Sequence, residues 1–101
     1  MSKRSIINLK DMLSQSPIKL NKEHLDEEIL RLGIIAELDA VNLYEQMAAM
    51  TENERIKKVL LDIAKEEKEH VGEFQTLLLE IDKEQVEEME EGKKEVQELT
   101  S

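Results

Sequence analysis

The sequence predicts an all-α protein: an antiparallel two-helix hairpin followed by a third, C-terminal helix. Three observations carry that prediction. The 101 residues include one proline and three glycines and are rich in Glu, Lys, Leu and Ile, so little interrupts helix formation. Apolar residues recur three and four positions apart over two long runs, which is the period of a helix face. Cap-like sequences, Thr51-Glu52-Asn53-Glu54 and Asp82-Lys83-Glu84-Gln85, fall where the runs change.

Composition also excludes several functions. A chain of 101 residues holds one small domain, with no room for a second core. Without cysteine there are no disulfides, thiolate zinc sites or cysteine nucleophiles. A net charge of −10 argues against nucleic acid, because phosphate binding needs a basic face. No signal peptide or membrane span follows Met1-Ser2-Lys3-Arg4, so a cytoplasmic, membrane-free location is the default expectation.

Taken in order, residues 1–20 read as an N-terminal arm. They carry a small positive excess (Lys3, Arg4, Lys10 and Lys19 against Asp11) and one apolar cluster, Ile6, Ile7, Leu9, Met12 and Leu13. Ser16-Pro17 ends any structure there. The hairpin is expected over residues 21–82. Asn21 is a candidate N-cap for a first helix over roughly 22–50. Its stripe runs Leu30, Gly33, Glu37, Ala40, Tyr44, Met47, so an acid interrupts an apolar face. Around Glu37 the segment Leu32-Gly33-Ile34-Ile35-Ala36-Glu37-Leu38 is apolar on nearly its whole circumference. A helix of that kind needs burial on all sides. One hairpin cannot supply it, so an oligomer is expected.

Thr51 as N-cap with Glu54 at N3 forms a capping box for a second helix over roughly 52–81. Its stripe runs Ile56, Leu60, Ile63, then Phe74, Leu77, Ile81. Continued through the gap, the rhythm lands on Glu67 and His70. The last segment, 83–101, reads as an acidic helix capped by Asp82, with sparse apolar positions Val86, Met89, Val96 and Leu99. From Asp82 to the end there are eight acids against three lysines, which marks a solvated or partner-facing helix. Gly92 is expected to weaken it.

The chemistry lies in the two interruptions. A carboxylate buried without a partner costs several kcal/mol, and a metal ion is the economical compensation. Glu37 and Glu67 are equidistant from residue 52, in the turn. At about 1.5 Å per residue both lie roughly 20 Å from it and at the same height. Glu67 and His70, three apart, share a face. The three residues therefore converge between the helices, with Tyr44 two turns along from Glu37. Ferritin-like di-iron bundles take a Glu from each of two helices and a Glu-x-x-His from each of the other two. This chain holds half of that set. Two copies about a two-fold axis complete both the ligand set and a ferritin-like four-helix bundle.

Glu37 with Tyr44, and Glu66-Glu67-Lys68-Glu69-His70 on the next helix, resemble the encapsulated ferritin family, over about Leu32 to Leu78. The resemblance implies ferroxidase ligands Glu37, Glu67 and His70 at a dimer interface, with Tyr44 close by. It implies a di-iron centre shared by two subunits, and homodimers assembled into a ring, typically a decamer. It also implies Fe(II) oxidation by O₂ inside an encapsulin shell, where the mineral collects. Leu43 stands where bacterial members commonly carry Trp. Of an acidic pair at the mouth of the family's site, Ala36 and Asp39 keep only one acid. The C-terminal Gln97-Glu98-Leu99-Thr100-Ser101 is no apolar shell-targeting peptide, so a truncation or a domain of a shell-protein fusion is expected.

Glu66 and Glu69 point off the stripe and are expected to be solvated. Asp39 is also off it, a weak second ligand candidate. His24 reads as a surface histidine, and Met47, Met50 and Met89 as packing residues. Carboxylates with one histidine per metal suit iron or manganese better than copper or structural zinc. Within that chemistry Glu67 is assigned the bridge and His70 a terminal position. Two alternatives stand beside the ferroxidase. One is a rubrerythrin-like di-iron peroxidase, which usually brings a cysteine-bearing rubredoxin module. The other is a non-catalytic helical oligomer or cargo adaptor, which predicts no metal dependence.

Overall fold

The computed structural model describes residues 22–101, so the expected N-terminal arm and the Asn21 cap lie outside the described residues. A single 3-10 turn, Lys22–His24, leads into α1, Leu25–Met50. α2 spans Glu54–Ile81 and α3 spans Lys83–Thr100. No strand occurs among the described residues. The fold is all-α, with α1 and α2 packed antiparallel as a hairpin and α3 leaving its far end.

Local chemistry sets these boundaries. Asp26, Glu27 and Glu28 fill the first turn of α1, where negative charge meets the positive end of the helix dipole. His24 occupies the N-cap without a side-chain capping bond. At the connection the capping box is not formed. Thr51 is extended and ends α1, its N–H donating to the Met47 carbonyl at 3.2 Å. The N-cap of α2 is instead Asn53, whose Oδ1 accepts from the N–H groups of Arg55 and Ile56 at 3.0 and 3.1 Å. Thr51 Oγ1 accepts from the Asn53 N–H at 3.1 Å, bracing that cap. Asparagine is among the strongest N-caps, worth about 1 kcal/mol over alanine. With Thr51 committed to α1, the helix start moves two residues along.

Asp82 alone separates α2 from α3. Its Oδ1 accepts from the Gln85 N–H at 3.0 Å, the expected cap. Its Oδ2 accepts from Arg31 Nη2 at 2.6 Å, tying the start of α3 to α1. α3 runs unbroken through Gly92. The preference for ending a helix at glycine is weak when nothing else in the segment asks for a turn.

The core of the described chain is thin. Only Val41, Ala48, Ala64 and Leu78 are buried apolar residues, while Ile35, Leu38, Ile56, Val59, Leu61, Leu77 and Ile81 are all exposed on α1 and α2. The radius of gyration is 16.7 Å, against about 13 Å for a compact domain of this length. In α3 every residue but Gln85 is exposed. Beside its start lies an apolar groove of about 380 Å³, bounded by Ile34, Ile35, Leu78, Leu79 and Met89. Met47 is half-buried, but Met50 is 81% exposed and Met89 is also exposed, so these two do not pack within the chain as expected. The apolar stripe on α1 is wider than one partner helix can cover.

Candidate metal centre

The two long helices bring one carboxylate from α1 against a carboxylate and an imidazole from α2. Glu67 and His70 are three residues apart, so both lie on the face of α2 that meets α1. Glu37 faces them across the seam. His70 Nδ1 lies 3.4 Å from Glu37 Oε2 and 3.5 Å from Glu67 Oε2. One donor atom from each residue falls within 4.8 Å of the others. The two carboxylates are shielded, at 20% and 18% side-chain exposure, while His70 is more open at 43%.

The arrangement is strained as a purely protein site. Two carboxylates share a half-buried position, and Glu37 Oε2 is shut off from solvent without a hydrogen bond. Such an atom is costly unless a cation or donor meets it. Donors that share one first-row metal at about 2.1 Å sit about 3 Å apart, so the observed spacings need only a small contraction. Two carboxylates with one imidazole suit iron or manganese. On these grounds the residues fit a metal ion.

The other expected site residues are distributed around this cluster. Tyr44 is half-buried on the α1 stripe, two turns nearer the connection than Glu37. Glu66 and Glu69 are exposed. Lys68, between them, reaches across the hairpin to Glu45 at 3.0 Å, an ion pair beside the centre. His24 is exposed, its Nδ1 3.5 Å from Glu27 Oε2. Asp39, the acid off the stripe and second ligand candidate, is 2% exposed, the one buried charged residue among those described. It does not belong to the three-residue cluster. No stripe in the sequence marks its burial: Asp39 directly follows the segment Leu32 to Leu38 that is apolar all round, of which Ile35 and Leu38 are exposed.

Known proteins agree with this architecture. Residues 28–101 match the Rubrerythrin family, a span holding Glu37, Tyr44, Glu67, His70 and all of α3. The crystal structure of the encapsulated ferritin domain from Pyrococcus furiosus is similar at a TM-score of 0.75, with 57% identity over 93% of each chain. The chain belongs to the encapsulated ferritin family. Among curated relatives, the chain is 59% identical over 95 residues to the ferritin-like–encapsulin shell fusion protein of P. furiosus, matching 88% of its own length and 27% of the fusion. It is 38% identical over 85 residues to the encapsulin nanocompartment cargo protein EncC of Myxococcus xanthus, matching 84% of its own length and 65% of EncC. It thus spans about a quarter of the first relative and just under two thirds of the second. Among the described residues no helix of this encapsulated ferritin is long and apolar enough to cross a membrane.

Proposed function

We propose that this protein is a ferroxidase that oxidises Fe(II) to Fe(III) with O₂ at a di-iron centre shared by two subunits. The observation that carries the reading is the Glu37–Glu67–His70 cluster, which supplies half of the ligand set of a di-iron bundle. A second copy about a two-fold axis supplies the other half and covers the apolar faces of α1 and α2. Iron bound there supplies the redox chemistry, each Fe(II) giving up one electron with O₂ as the acceptor. The chain's residues hold and space the metals. Glu67 would hold the metals from both subunits. Glu37 and His70 would complete each metal's ligands from one chain, and Glu37 Oε2, which has no hydrogen bond within the chain, would gain a partner. Tyr44 closes one side of the centre beside these carboxylates.

The family membership supports a ring of dimers, a decamer, as the working assembly. The relatives' names, a shell fusion and a nanocompartment cargo protein, support an encapsulin shell as partner and the interior of a cytoplasmic nanocompartment as location. Iron oxidised at the ring is stored in that shell. Stopped-flow Fe(II) oxidation under O₂ tests the reading. Wild type should exceed the protein-free rate, and Glu37→Ala should fall by about tenfold or more. Equal rates in the two proteins would discard the ferroxidase. A clear preference for hydrogen peroxide over O₂ as oxidant would favour the rubrerythrin-like peroxidase.

A further inference from the structure

One helical turn beyond Glu37 on α1, away from the connection, stands Gly33. One turn beyond His70 on α2 stands Phe74. The two pairs are successive layers of the same antiparallel seam. A Cβ placed on Gly33 would lie 3.2 Å from Cδ2 and Cε2 of Phe74 and 3.3 Å from Cζ. Carbon atoms at rest approach to about 3.5–4.0 Å, so one edge of the ring occupies space that any other residue at 33 would need. The other two glycines, Gly72 and Gly92, meet nothing within 4 Å. Backbone conformation does not account for Gly33 either. It lies inside α1, and no glycine among the described residues has a positive φ. Glycine weakens a helix interior, so what it contributes here is room.

We infer that Gly33 and Phe74 are a spacer, a pair of positioning residues that sets the separation of α1 and α2 at the layer next to the metal centre. The inference rests on the metal reading of Glu37, Glu67 and His70. Those donors come from two helices and must meet at one ion. A misplacement of about 1 Å at such a site costs on the order of a hundredfold. With Gly33 the ring nests against the α1 backbone and Glu37 reaches His70 at 3.4 Å. A methyl group there pushes α2 outward, or turns the ring, by a few tenths of an ångström.

The two effects of Gly33→Ala differ, which makes the spacer separable from a general structural role. Alanine is the better helix former and the crowded ring opposes that gain, so helicity should hold and the thermal midpoint should change little. Metal binding should weaken. The experiment is Co(II) titration of the full chain, followed by visible absorption, alongside circular dichroism and sizing. Gly33→Ala should bind Co(II) about tenfold more weakly, since its donors are displaced by a fraction of an ångström, and its ligand-field bands should shift. Gly33→Ala/Phe74→Leu, with the ring trimmed, should restore affinity and spectrum. Wild-type binding in Gly33→Ala, or no restoration in the double variant, overturns the spacer. If Gly33→Ala fails to fold, the double variant decides: recovery of fold and Co(II) binding together supports the spacer, and failure of either overturns it. A Glu37→Ala control separates the two layers of the claim. If it binds Co(II) as wild type does, the metal reading falls and the spacer with it. If it loses Co(II) while Gly33→Ala does not, only the spacer falls.

Discussion

His70 is the most exposed member of its cluster and the one whose Nδ1 faces both carboxylates. His24, in the turn before α1, also faces a carboxylate, Glu27 Oε2 at 3.5 Å, but only that one lies within ion-pair distance. The two histidines therefore differ in what converges on them, not in whether an acid is near. Anaerobic Fe(II) titration should distinguish them: His70→Ala weakens binding by at least about tenfold, while His24→Ala leaves it unchanged. Equal affinities in the two variants would remove His70 from the centre. This distinction was legible before any coordinates, since His70 falls in register on an apolar stripe with Glu37 at the matching height. The burial of Asp39 was not, because a single stripe on α1 describes one face of a helix that is shielded on more than one. Nor was the Gly33–Phe74 contact, since spacing alone does not say which residue in a stripe makes room for another.

At the scale of elements, the hairpin and third helix follow from periodicity and caps, and the errors are errors of cap assignment. Thr51 and Asn53 are both good caps, and sequence alone does not say which is already used by the preceding helix. Asp82 was legible as a cap, whereas its bond to Arg31 joins residues far apart in the chain and no local pattern announces it. That bond has a consequence for α3. The Gln85 N–H, and then Arg31, hold the Asp82 carboxyl below its ordinary range, against a smaller opposing effect of burial. A carboxylate with a depressed pKa in the folded state adds stability that is complete above its unfolded value, about 3.9. That stability is lost as pH falls through the lower folded value. The anchoring of α3 should be constant from neutral pH to about 5 and weaken below about 4. Asp82→Asn keeps a good cap but cannot titrate. A pH series of helicity should show the acid loss in wild type and a shallower one in Asp82→Asn. Identical acid profiles would remove Asp82 from the anchor.

For the whole molecule the governing fact is the mismatch between apolar surface and core. Among the described residues, four buried apolar side chains stand against Ile35, Leu38, Leu77 and Ile81 left open to water, and stability grows with the apolar area removed from solvent. On the proposed di-iron reading the same seam carries half of a ligand set, so packing and chemistry would ask for the same second copy. The sequence alone expresses this twice, in the all-round hydrophobicity of α1 and in the single Glu-x-x-His. In the proposed function the metal centre belongs to a pair of chains. Sedimentation analysis of iron-loaded wild type and Leu38→Asp, with iron content and oxidation rate read on each species, tests it most directly. About two irons per pair of chains are expected, held and oxidised only in the associated form, with the charged variant monomeric and inactive. A monomer that binds and oxidises iron as fast as the assembly would contradict it.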